Sequence, residues 1–300
     1  GENKIVETLE KVKCKKFFVA NIVEALKIRK KFKSITIFVL NGLNKGEEKT
    51  FFSNNITPVL NNYNQFERWT SYIKVNFNRP LMLHVDTGMN RLGFQKLDIE
   101  KLKKNRKKLE QFKNVTVMSH LACADDKTNK FNLEQKKELD SFKKEFPKCR
   151  YSLAASGGIF LGKKYHYDMV RPGISLYGGK RTFHKKIKHA VALKAPIIQI
   201  NKIKKGESIG YSRTYFAKQN TITATISVGY ADGMNIRLSN KGYFHFKKKK
   251  VSIIGRVSMD LIILDITKFK NKIKVGDYID IYNKNYTIDD FAKQSGTIPY

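Results

Sequence analysis

The chain has 300 residues, 41% of them hydrophobic and 12% aromatic, which is enough to fill the core of one large barrel or of two ordinary domains. No run approaches the apolar length that spans a bilayer, and the opening GENKIVETLEKVKCKK has neither an apolar signal core nor a transit-peptide composition. A membrane or exported protein is therefore not expected, and the cytoplasm is the expected location. The formal charge of +33 makes a basic nucleic-acid-binding protein the non-enzyme alternative. Against it, lysines such as Lys101, Lys103, Lys104, Lys107 and Lys108 are spread over outer helix faces, with no arginine-rich or aromatic-interleaved stripe, so no nucleic acid is expected as partner. The cysteines Cys14, Cys123 and Cys149 are widely spaced and odd in number, which points to a reducing compartment and no metal site.

In chain order, helix is predicted over 3–12, strand over 17–20, helix over 22–32 and strand over 35–40. The alternation repeats as helix 62–72, strand 81–85, helix 99–112, strand 115–119, helix 133–146 and strand 150–154, with a further strand at 167–170. Short apolar strands alternating with amphipathic helices read as a TIM-type β/α barrel, here over 1–190. The period then changes to two, giving strands near 196–202, 221–228, 251–254, 261–266 and 277–282, and a helix over 288–293 capped by Thr287. The fold class is α/β, a β/α barrel followed by a mostly β C-terminal domain over 191–300. Lys247, Lys248, Lys249 and Lys250 fall at a hairpin turn and an exposed strand edge, where lysine discourages edge pairing.

Several chemistry-bearing residues sit just past predicted barrel strands, the end at which such barrels keep their sites. Arg91 lies in the glycine-bracketed turn of LHVDTGMNRLGF, His120 follows 115–119, Ser156 begins SGG, and Arg171 begins RPGISLYG. Ser156 and the backbone amides at Gly173 and Ile174 suit an anion such as a phosphate. Neither a GxxxxGK[ST] loop nor a strand-following GxGxxG is present, which argues against nucleotide triphosphatases and dinucleotide-binding proteins. In the β domain, Tyr211 in SIGYSRTY, Tyr230 in VGYADG, and Met259 and Asp260 in GRVSMD stand out.

Taken in order, HVDTGMNRLGF, Ser119–His120, AASGG, RPGISLYG, GYSRTY, VGYADG and GRVSMD resemble the motif set of the alanine racemases, over essentially the whole chain. The resemblance implies a pyridoxal 5'-phosphate enzyme that interconverts L-alanine and D-alanine for peptidoglycan by two-base proton transfer. It also implies a head-to-tail homodimer whose β domain completes the partner's active site. Tyr211 is then similar to the tyrosine base on one face of the substrate, with a lysine serving the other. A phenol ordinarily ionises near ~10, and His120 and Arg171 resemble the pair that assists it. Arg171 also resembles the arginine facing the pyridine nitrogen. Arg91 resembles the one that bonds the phenolic oxygen near the substrate carboxylate. Ser156, Gly173 and Ile174 resemble phosphate ligands, Met259 the residue whose amide binds the carboxylate, and Tyr230 a tyrosine at the substrate entrance.

The sequence departs from this pattern in places. The cofactor lysine of the family lies in a KANAYG-like segment before the first helix and its last phosphate-binding tyrosine after the position of Tyr300, so the expectation is a copy missing one or more first strands and its C-terminal end. These 300 residues alone are expected to bind the cofactor poorly and not to racemise. His84 stands where many members carry a lysine, carbamylated in some, that positions the arginine matched by Arg91; a chloride or another acidic group is the expected substitute. Ala155 replaces a common asparagine. The alternatives are a racemase of serine or other small amino acids, a same-fold decarboxylase, which would place an acid rather than Arg171 at the ring nitrogen, and a non-catalytic cofactor carrier.

Overall fold

The computed structural model describes residues 2–73, 79–179, 187–269 and 272–299. The chain divides into two units, Gly1–Pro172 and Gly173–Tyr300.

In the first unit, β1 (Lys16–Val19), β2 (Thr36–Val39), β3 (Ile56–Leu60), β4 (Leu81–His84), β5 (Val115–Met118) and β6 (Arg150–Ser152) pair in chain order as one parallel sheet. Between and around them run α1 (Glu2–Lys11), α2 (Ile22–Lys31), α3 (Glu48–Ser53), α4 (Tyr63–Tyr72), α5 (Lys96–Lys104), α6 (Arg106–Glu110), α7 (Phe131–Glu145) and α8 (Ser156–Phe160). This is the expected β/α architecture, present as a parallel half-barrel. Strand alternation divides the side chains between two faces. Ile37, Val39, Leu81, Leu83, Val115, Val117, Tyr151 and Leu153 join the main core with the helices. Phe38, Val59, Met82 and Met118 form a separate inner cluster. Continuing that alternation places Asn61, His84, His120 and Ser152 on the inner face, towards the strands' C-terminal ends.

Helix starts follow their capping chemistry. The Asn21 side chain accepts from the Glu24 amide at 3.0 Å, and that of Asn62 accepts from the Gln65 amide at 2.9 Å.

The second unit contains β7 (Leu193–Ile203), β8 (Ser208–Ile209), β9 (Tyr215–Phe216), β10 (Thr221–Ile226), β11 (Tyr243–Phe246), β12 (Lys249–Ile253), β13 (Ile262–Asp265) and β14 (Tyr278–Tyr282), followed by α9 (Ile288–Ser295). Six of these strands close an antiparallel barrel in the order β10-β13-β12-β11-β14-β7, while β8 and β9 form a small separate ladder. Phe244, Ile253, Leu264 and Ile279 lie in its core. The Thr287 cap is present, with reciprocal bonds to Asp290.

Four expectations are corrected. Residues 167–170 are not a strand: Tyr167 is left-handed (φ 52°), and the segment meets β6 through the Asp168 amide to the Tyr151 carbonyl at 3.0 Å and the Ser152 hydroxyl to the Met169 carbonyl at 2.7 Å. Only Ala155 and Arg171 form an isolated parallel bridge there. The helix over 99–112 is two helices, because Asn105 leaves helical geometry (φ −105°, ψ 24°), its side-chain amide donating back to the Lys101 carbonyl at 3.0 Å. The β3 strand and the short α3 before it went unrecognised. The lysine-rich hairpin lies on no free edge: Lys247 and Lys248 form its turn, both left-handed, and β11 and β12 are each paired on both sides within the closed barrel.

Candidate active site

In the first unit the site is built from loops after β3 to β6. The turn carrying Arg91 leaves β4 and returns at once: the Phe94 amide donates to the His84 carbonyl at 2.7 Å, and the Asp86 amide to the Phe94 carbonyl at 3.2 Å. Gly93 makes this possible. It is left-handed, and a Cβ there would lie 2.6 Å from the Asp86 nitrogen. The Asp86 carboxylate gathers the Gly88, Met89 and Asn90 amides and the Gln95 side chain, at 2.7–3.0 Å for its shorter contacts. Burial works against its charge, but these donors win and hold it below the ordinary carboxylate value. Asp86 is thus spent on the turn, and Arg91 is exposed on the rim.

His84 is buried, and its Nδ1 lies 2.9 Å from the Asn61 side-chain oxygen. The Asn61 amide nitrogen donates to the Leu40 carbonyl at 3.1 Å, so its oxygen must accept. The proton is therefore on His84 Nδ1, and Nε2 is the ring's acceptor. Burial, and next the Arg171 cation, lower the His84 pKa from 6.5 to about 4. For His120, burial first, then Arg171, Arg91 and His84, lower it from 6.5 to about 4. Both imidazoles are neutral at neutral pH. The hydrogen-bond partner of the His84 ring is an asparagine, Asn61.

Arg171 is buried, and its described partners are all uncharged. The guanidinium donates to the Ser152 hydroxyl, to the Ser119 carbonyl at 2.6 Å and to the Leu153 carbonyl at 3.4 Å. Burial lowers its pKa to about 10, which leaves it charged at neutral pH. Ser156 opens α8 directly after the Ala155–Arg171 bridge, and Gly157 packs against Ala124 with no room for a Cβ. The first unit thus gathers Arg91, His120, Ser156 and Arg171 at one end of the sheet.

The remaining sequence-predicted residues belong to the second unit. Gly173 precedes a short 3-10 turn that begins with the buried Ile174. Tyr211 is 70% exposed, on a turn whose next two residues, Ser212 and Arg213, are left-handed. That turn is tied to the 255–256 loop by Arg256 donating to the Ser212 hydroxyl at 3.2 Å. Tyr230 and Met259 are neighbours: the Tyr230 and Ala231 amides donate to the Ser258 and Met259 carbonyls, both at 2.9 Å. Gly229 permits this approach, since a Cβ there would sit 2.1 Å from the Met259 oxygen. Both Tyr230 and Met259 are exposed.

Two residues of the first unit escaped sequence reasoning, Asn61 and Gln135. Asn61 follows the unrecognised β3. Gln135 carried a visible signal, because Asn132 and Gln135 interrupt the buried stripe of α7 that continues through Leu139 and Phe142.

The family model for the alanine racemase N-terminal domain matches residues 1–181, and that for the C-terminal domain matches 190–300. The chain belongs to the alanine racemase family. Membership makes it an enzyme of the isomerase class that acts on alanine. An alanine racemase of Rickettsia bellii is 39% identical over 306 residues, spanning 100% of this chain and 75% of that protein. One from Brucella abortus is 36% identical over 318 residues, spanning 100% and 80%. The structure of alanine racemase from Bartonella henselae with covalently bound pyridoxal phosphate superposes with a TM-score of 0.92, at 35% identity over 100% of this chain and 84% of that one. Among the described residues, no helix is long and apolar enough to cross a membrane, and no group of three or more His, Cys, Asp or Glu side chains could hold a metal.

Proposed function

We propose that this chain serves, within its full-length protein, to interconvert L-alanine and D-alanine with pyridoxal 5'-phosphate, in the cytoplasm, supplying D-alanine for peptidoglycan. The observation that carries this reading is Arg171: a buried guanidinium whose described partners are hydroxyl and carbonyl groups, flanked by two neutral imidazoles. A donor set of this kind suits a ring nitrogen that is to stay unprotonated, because a guanidinium at this site keeps its own proton. An acid at that position would suit a decarboxylase, and none of the described partners of Arg171 is an acid. When bound, the cofactor supplies an electron sink that acidifies the substrate's α-hydrogen.

In this reading, Arg171 would hold the ring, Arg91 would bond its phenolic oxygen and serve the substrate carboxylate, and Ser156, Gly173 and Ile174 would hold the phosphate. The Met259 amide binds the carboxylate, and Tyr230 lines the substrate entrance. Tyr211 takes or returns the α-proton on one face, assisted by His120 and Arg171. The exposure of Tyr211, Tyr230 and Met259 supports a homodimer in which they complete a partner's site. The opposite face requires a second base. The resemblance makes it a lysine in a KANAYG-like setting, a segment that is not among these 300 residues.

The test is chiral chromatography of alanine incubated with the protein expressed from its full reading frame and pyridoxal phosphate. L-alanine is expected to yield D-alanine, and Tyr211→Phe to slow this by ~10²–10⁴-fold. Carbon dioxide release without chirality change overturns the reaction, and a Tyr211→Phe rate within a few-fold of the parent overturns the base assignment.

A further inference from the structure

Backbone pairing of β5 with β6 ends where the Ser119 amide meets the Ser152 carbonyl at 3.0 Å, one residue before His120. Beyond that point a side chain takes over. Gln135 of α7 is completely buried; its Nε2 donates to the His120 carbonyl at 2.9 Å, and its Oε1 accepts from the Ala122 amide at 2.8 Å. The carbonyl of one residue and the amide two residues on are the groups that a neighbouring strand would satisfy. The glutamine amide thus stands in for a strand, tying down the backbone at His120 and Ala122.

The same Nε2 lies 3.2 Å from the Thr87 hydroxyl, Thr87 is 2.8 Å from the Ser119 hydroxyl, and the Ser119 carbonyl accepts from Arg171 at 2.6 Å. One buried chain of bonds therefore runs from Arg171 through the loops after β5 and β4 to His120. We infer that Gln135 is a positioning residue that sets the placement of His120 relative to Arg171, and thereby tunes proton transfer rather than substrate affinity.

This inference rests on the racemase reading for its kinetic consequence but not for its geometry. A matched control lies one turn earlier on the same helix. Asn132 is as deeply buried, and its side chain donates to the Cys123 and Asp126 carbonyls at 3.1 and 2.9 Å, with no described bond to His120, Thr87 or Arg171.

The experiment compares Gln135→Leu with Asn132→Leu in the full-length enzyme. Gln135→Leu is expected to lower kcat by ~10-fold or more with KM changed by less than ~3-fold, since small misplacement of reacting groups costs rate steeply. Asn132→Leu is expected to lower the thermal midpoint comparably and leave kcat within ~3-fold. Thr87→Val, which cuts the chain while keeping its volume, serves if Gln135→Leu does not fold, with a kcat loss of ~3–10-fold expected.

A second readout needs no activity. In histidine NMR of the protein without added cofactor, His120 should titrate nearer the ordinary 6.5 in Gln135→Leu and stay low in Asn132→Leu. A Gln135→Leu enzyme that loses only stability, or an Asn132→Leu enzyme that loses as much kcat, overturns the inference. An inactive parent enzyme overturns the racemase reading instead, and the NMR comparison still decides Gln135.

Discussion

The two units hold their candidate functional side chains in opposite ways. In the first, Arg171, Ser119, Thr87 and Gln135 are buried and joined by hydrogen bonds, and His84 is fixed to one tautomer by Asn61. In the second, Tyr211, Tyr230 and Met259 stand exposed on loops whose backbone is hydrogen-bonded. The contrast separates two kinds of dependence. A buried polar group fixes the site and the fold together, because losing it strands its partners. An exposed one is available to chemistry and contributes little to stability.

The largest effect on folding should come from Arg171→Leu, which leaves the Ser152 hydroxyl and the Ser119 and Leu153 carbonyls without their donor and costs about 3 kcal/mol in denaturant unfolding. A cost below about 1 kcal/mol would break the contrast. Next comes Gly229→Ala in the second unit, where a Cβ must push the Met259 carbonyl away; about 2 kcal/mol is expected, together with a raised KM for alanine.

The pH dependence follows from the two imidazoles of the first unit. Unfolded histidine takes up a proton near 6.5, whereas folded His84 and His120 do so only near 4. Between these values the unfolded chain binds more protons, so stability falls as pH is lowered from 6.5 towards 4. Asp86 stays ionised over most of that window. His245 of the second unit shifts in the same direction, and His245→Asn should leave most of the slope in place. The smallest effect is that of Tyr211→Phe on stability, within about 0.5 kcal/mol by thermal unfolding despite its large effect on rate.

Much of this contrast could be read in the residues themselves, and the failures have physical causes. The strands β4 to β6 announce themselves through short apolar runs ending in Asp86, His120 and Ser156, and the second unit through its period of two. The β3 strand was hidden by Pro58, which lacks the amide expected of a central strand and yet sits in register with Val39 between β2 and β4. With β3 went Asn61, and with Asn61 the partner of His84, which lies 23 residues further on. Residues 167–170 read as a strand from their short, mostly apolar run before Arg171. Tyr167 turns left-handed and leaves only the Ala155–Arg171 bridge to carry Arg171 into place. Gln135 falls by its spacing on the buried stripe of α7 with Asn132, Leu139 and Phe142, but only the placement of α7 against the loop after β5 shows which groups it serves.

The central claim is that Tyr211 exchanges the α-proton on one face of the substrate while a different base serves the other. Exchange of the α-hydrogen of L-alanine and of D-alanine with deuterated water, measured separately in full-length Tyr211→Phe, tests it most directly. The account predicts exchange slowed by ~10² or more for one enantiomer and by less than ~10-fold for the other. Equal slowing of both, or of neither, would contradict it.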